Sequence, residues 1–153
     1  GMKRLLIGIG NPFRRDDGVG VTVAKAIVVA NIPDCEVRIQ SGEGAALMEC
    51  WKDASRVIVI DAVRSASVPG KIHRIDAAAN RIPCDFFHYS SHAFGLAEAI
   101  EVSRVLGQLP ESLTVIGIEG KEFGEGIGLT PEIDAAANRC IFEISQILTA
   151  VTA

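Results

Sequence analysis

Asp16 and Asp17 stand side by side in a glycine-rich stretch, Gly8-Ile9-Gly10-Asn11-Pro12-Phe13-Arg14-Arg15-Asp16-Asp17-Gly18-Val19-Gly20, that joins an apolar run to a helical pattern. Asp61 follows a second apolar run, Arg56-Val57-Ile58-Val59-Ile60, and His92 precedes an amphipathic stretch. Carboxylates and imidazoles move protons near neutral pH and ligate divalent ions. Each residue also has an ordinary explanation. Asp16 or Asp17 could cap a helix and meet the positive end of its dipole, Asp61 could cap a turn, and His92 could be structural. Whether they do chemistry depends on whether the chain brings them together.

The elements that must position them alternate in type. Arg4 to Ile9 reads as a strand buried on both faces, and Gly18 or Val19 to Ala30 as a helix with Val19, Val23, Ala26, Ile27 and Ala30 on one side. Glu36 to Gln40 is a second strand, and Ala45 to Asp53 a helix in which Trp51 is a packing residue. Arg56 to Ile60 is a third strand, closed by Asp61. Lys71 to Ile75 follows as an edge strand, then a long connection from Asp76 to Ser91, a helix from Ala93 to Leu106, and a central strand from Leu113 to Ile118. Thr130-Pro131 marks the N-cap and first turn of a last helix, which runs to about Leu148 with Ile133, Ala137, Cys140, Ile141 and Ile144 buried.

This alternation predicts an α/β fold: one three-layer αβα domain over residues 2–153, with a twisted, mostly parallel sheet of about five strands. Gly1 ahead of Met2 reads as a cloning remnant. Open parallel sheets place ligands at the carboxyl ends of their strands. Asp16 or Asp17, Asp61 and His92 all fall at that edge. Two carboxylates and an imidazole suit zinc, nickel or manganese, with positions left for water or substrate.

Other chemistries fit less well. Phe13 occupies the place of the third glycine in a dinucleotide fingerprint, no ribose-binding carboxylate ends the second strand, and no phosphate loop with G-K-[ST] occurs. Ser90-Ser91 beside His92 lacks a nucleophile elbow, and His73 and His88 read as structural or surface residues. With 15 basic and 19 acidic side chains the net charge is -4, and the basic residues are scattered, which argues against nucleic acid. Cys35, Cys50, Cys84 and Cys140 form no C-x-x-C pair and read as buried free thiols of a reducing compartment. The apolar content is 48%, yet no run reaches the ~18 residues of a membrane span. A cytoplasmic protein, compatible with a monomer, is expected.

The long glycine-aspartate motif, with Val59-Ile60-Asp61-Ala62, Ser91-His92-Ala93-Phe94-Gly95-Leu96, Gly117-Ile118 and Gly128-Leu129-Thr130-Pro131, resembles the hydrogenase maturation proteases across nearly the whole chain. The resemblance implies a metal-dependent endopeptidase, of aspartic type, that removes the C-terminal extension of a nickel-iron hydrogenase large-subunit precursor after nickel insertion. It places metal contact and catalysis on Asp17, Asp61 and His92, leaving Asp16 to support the loop or cap the helix. Nickel would arrive with the substrate, and zinc or another divalent ion could substitute. Ser41-Gly42-Glu43-Gly44 stands where the family commonly has a glycine-threonine type loop, and Glu119-Gly120-Lys121-Glu122 where a proline is frequent. Gly42, Glu43 and Gly44 are expected to touch substrate. The competing expectation is a nickel-sensing or chaperone-like protein that uses the same cleft without cutting.

Overall fold

The computed structural model describes residues 3–83, 86–87 and 92–150. In chain order the elements are β1 (Arg4–Ile9), α1 (Val19–Ala30), β2 (Cys35–Gln40), α2 (Gly44–Trp51), β3 (Arg56–Val63), β4 (Ile72–Asp76), α3 (Leu96–Val105), β5 (Ser112–Glu119) and α4 (Pro131–Ala150), with a 3-10 turn at Arg15–Gly18. The strands form one sheet in the order β2-β1-β3-β5-β4. Four are parallel, and β4 lies antiparallel on β5 at the edge.

Alternation along the strands sorts side chains into two cores. Leu6, Ile60, Ile116 and Ile118 face one way and pack with Val19, Val23 and Ile27 of α1 and Ile133, Ala137 and Ile144 of α4. Leu5, Ile7, Val57, Val59 and Val115 face the other way, against Leu47 and Trp51 of α2 and Leu96 and Ile100 of α3. Burial on both faces is why β1 carries no polar side chain from Leu5 to Ile9. Trp51 is a packing residue, as expected, and its indole donates to Ser103 Oγ at 3.3 Å. At the amino end of the sheet the buried guanidinium of Arg4 donates to the carbonyls of Leu148 at 2.7 Å and Pro33 at 2.7 Å, tying β1 to the end of α4.

Some expectations need correction. Asp61 does not close its strand, because β3 continues to Val63, paired through Asp61↔Gly117 to Val63↔Glu119. α3 starts at Leu96, where the Glu98 carboxylate accepts the Gly95 N–H at 2.9 Å and fixes the first turn. Ala30, expected on the inward side of α1, is exposed, and Ile141, expected buried, is half-buried. Of the cysteines, only Cys140 is buried among the described residues, its thiol pushed up to about 12 by burial; Cys35 and Cys50 are half-buried and free. Cys84, His88, Ser90 and Ser91 lie outside the described residues. No helix among the described residues is long and apolar enough to cross a membrane.

Candidate active site

The glycine-aspartate loop is folded back on itself at the end of β1. Gly10 has φ +147°, and a side chain there would overlap the carbonyl of Asp17, so only glycine allows the return. Asn11 then donates its N–H to Asp17 Oδ2 at 2.8 Å, and its own Oδ1 accepts the Phe13 N–H at 2.9 Å. α1 follows through Gly18 with no side-chain cap. Neither aspartate therefore caps the helix.

The two carboxylates do different work. Asp16 is fully buried and accepts the backbone N–H groups of Lys121 at 3.0 Å, Glu122 at 2.8 Å and Thr130 at 2.8 Å, besides the Thr130 hydroxyl. It fastens the loop between β5 and α4. Thr130 stands just before Pro131 at the start of α4, as expected, its carbonyl accepting the Asp134 N–H at 2.9 Å, and its hydroxyl donates to Asp16. Asp17 is only partly covered and faces a cleft of about 400 Å³ at the carboxyl edge of the sheet, shared with Asp61, His92, Gly42, Phe13 and Phe87. Three residues far apart in the chain are brought to one cavity, as expected for the strand ends of a parallel sheet.

Asp61 projects from β3 toward the α2 and α3 side, in the same alternation as Val57 and Val59. Its strand neighbour on β5 is Gly117, and the neighbour of Gly117 on β4 is His73. A Cβ on Gly117 would come within 3.0 Å of the Phe86 ring. Phe86 therefore sits over the glycine in the row between Asp61 and His73, with its ring edge-on to His73 at 4.9 Å and to Phe87 at 5.1 Å. His73 is structural, as expected: it meets the buried carboxylate of Glu119 at 3.2 Å, which also accepts the Ser65 hydroxyl at 2.6 Å. Phe86 and Phe87 were not singled out from sequence, and Glu119 was noted only as the first residue of a segment that departs from the family. Gly117, inside an apolar strand, was the available signal, since such a glycine marks close approach of another group.

Burial raises the pKa of both cleft carboxyls. For Asp17, burial is opposed by the Asn11 N–H and the positive charge of Arg14. Asp61 lies well above the usual carboxylate range, first through burial and then through the negative charge of Asp17, with the Ala62 N–H pulling the other way. The Asp17 charge acts on Asp61 because Asp17 ionises first. Asp61 is the group that keeps its proton longer.

The loop before α2 divides its roles. Gly42, φ +103°, lines the cleft, and a methyl there would stand 3.6 Å from His92 Cδ2. Glu43 instead caps α2, accepting the Ala45 and Ala46 N–H groups at 2.9 Å each. Those bonds, and more weakly the charge of His92, hold its carboxyl below the usual range. Gly44 packs against the Phe94 ring and donates to the Phe94 carbonyl at 2.8 Å. Asp17, Asp61 and His92 offer oxygen and nitrogen donors suited to a borderline divalent ion, but among the described residues no three His, Cys, Asp or Glu side chains form a cluster able to hold one.

Known proteins resemble this chain in sequence and fold. The family model described as hydrogenase maturation protease matches residues 38–147, which include Asp61 and His92. The hydrogenase 2 maturation protease of Escherichia coli is 31% identical over 139 residues, covering 88% of this chain and 83% of that protein. The solved hydrogenase maturating endopeptidase HybD from E. coli superposes with TM-score 0.74 at 25% identity, covering 98% of this chain and 94% of that one. The [NiFe] hydrogenase maturation protease HycI from Thermococcus kodakarensis has the same fold, with TM-score 0.72 at 23% identity over 97% of this chain and 94% of that one. With its sheet, its carboxyl-edge cleft and the family pattern along most of its length, the chain belongs to the hydrogenase maturation proteases.

Proposed function

We propose that this peptidase removes the C-terminal extension of a nickel-iron hydrogenase large-subunit precursor once nickel has been inserted, and that the ion comes with the substrate. The observation that carries the reading is the meeting of Asp17, Asp61 and His92 in one cleft, where burial, and then the charge of Asp17, push the Asp61 carboxyl well above the usual carboxylate range. A metal at the scissile carbonyl supplies Lewis acidity. The protein's part is to position the peptide and manage protons. Ionised Asp17 accepts a proton from the attacking water, and Asp61 Oδ, the later to ionise, donates one to the departing amine. Two carboxyls whose environments separate their pKa values fall naturally into base and acid. His92, on the approach to α3, supports binding of the ion.

The test is mass spectrometry of a nickel-loaded precursor before and after incubation with the protein. Loss of one discrete C-terminal peptide, absent with nickel-free precursor and with Asp17→Ala, is the expected result. An unchanged mass, with a precursor that another processing enzyme does cut, would replace the peptidase by a non-cutting nickel-sensing protein.

A further inference from the structure

Phe13 is 65% exposed and Ile127 78% exposed. Single exposed apolar side chains are common and need no explanation, but these two belong together. The Gly126 N–H donates to the Phe13 carbonyl at 2.9 Å, and the Arg15 N–H donates to the Gly126 carbonyl at 3.0 Å. Two loops therefore run side by side, one carrying Phe13 and the other Ile127.

Both loops are fixed. Arg15 Nε donates to the Gly128 carbonyl at 2.8 Å, Arg14 Nε to the Phe123 carbonyl at 3.2 Å, and Asp16 holds the second loop at Lys121, Glu122 and Thr130. Ile127 sits between Gly126 and Gly128, whose φ values of +139° and +100° give a backbone path that other residues rarely adopt. A tied backbone that still turns a large apolar side chain into water leaves a hydration cost that the fold does not recover.

Phe13 also lines the cleft beside Asp17 and Asp61, so the loop pair that carries Phe13 and Ile127 adjoins the site. A cavity of about 400 Å³ is the size of a small-molecule pocket. A polypeptide cut there must cross the rim. We propose that Phe13 and Ile127 form a ledge on which the substrate protein lays an apolar segment adjoining its cut site. The ledge selects the substrate and takes no part in bond cleavage. This rests on the reading of the cleft as the peptidase site.

The experiment measures the dissociation constant of nickel-loaded precursor with the Asp61→Asn protein, carrying no further change, Ile127→Asp, Phe13→Asp or Ile127→Leu. Circular dichroism checks that each variant is folded, and sedimentation gives its oligomeric state. The Asp variants are expected to bind about tenfold more weakly, which is ~1.4 kcal/mol, and the Leu variant within about twofold of its parent. Equal binding by parent, Ile127→Asp and Phe13→Asp overturns the ledge while leaving the cleft reading intact. Failure of both this parent and the unsubstituted protein to bind the precursor overturns both. Self-association of the isolated protein, dispersed by Ile127→Asp, would make the ledge an interface between copies and also overturn the proposal.

Discussion

A carboxylic acid enclosed by protein beside a second carboxylate is poorly placed to ionise, and Asp61 meets both conditions. Below about pH 4, the ordinary carboxylate range, Asp61 is protonated in folded and unfolded chains alike and has no effect on stability. As pH rises, the unfolded chain ionises freely while the folded one keeps its proton, so stability falls until the folded pKa is passed. Asp61→Asn should therefore raise the melting temperature at pH 7. The difference should vanish near pH 3. The same variant should show no processing of the precursor. Thermal melts across pH, beside the cleavage assay, check both, and a variant less stable than its parent at pH 7 would refute the assigned environment. Asp61 was legible in the sequence because a charge ending an apolar run is conspicuous. Asp16 and Asp17 were not separable from spacing, since which carboxylate meets the cleft depends on the 3-10 turn at Arg15–Gly18 and on donors more than a hundred positions away.

Asp16 shows how one element is built around a single side chain. Its carboxylate receives three backbone N–H groups and a hydroxyl in a buried place. Asp16→Ala leaves those donors without an acceptor, at roughly 3 kcal/mol or more. The expected outcome is a melting point lower by about 6–12 °C and early tryptic cleavage after Lys121 as the loop loosens. A protease-resistant Asp16→Ala protein would show the clamp to be dispensable. Gly20 gives a second test, since a Cβ there would overlap the carbonyls of Ile9 and Ile60 and push α1 off the sheet. Gly20→Ala should cost about 1–3 kcal/mol, read from denaturant melts, and an unchanged midpoint would refute the backbone contact. The strands were readable because burial on both faces leaves an apolar run that few other structures require. The extension of β3 past Asp61 was not, because it depends on pairing with β5. Likewise, the two bonds by which Glu43 caps α2 could not be read from the glycine loop that carries it.

At the scale of the molecule, β1, β3 and the segments leading into α2 and α3 each deliver part of one cleft at the carboxyl edge. That convergence could be inferred from the order of elements, since a parallel sheet gathers its strand ends on one side. The outer rim could not, because Phe13 and Ile127 are joined only by cross-loop bonds. In the proposed reaction, the cleft of Asp17, Asp61 and His92 receives an ion already held by the precursor. The complex should then depend on nickel in the substrate more than on metal added to the enzyme. Chelator-washed protein freed of chelator should process nickel-loaded precursor at an unchanged rate, and nickel-free precursor should remain intact even when the protein has been preincubated with nickel or zinc and desalted. Mass spectrometry over a time course reads both arms. Cleavage of nickel-free precursor by the preincubated protein would mean that the enzyme carries its own metal. The roles of Asp17, Asp61 and His92 would then be those of a resident site instead of a partner's landing place.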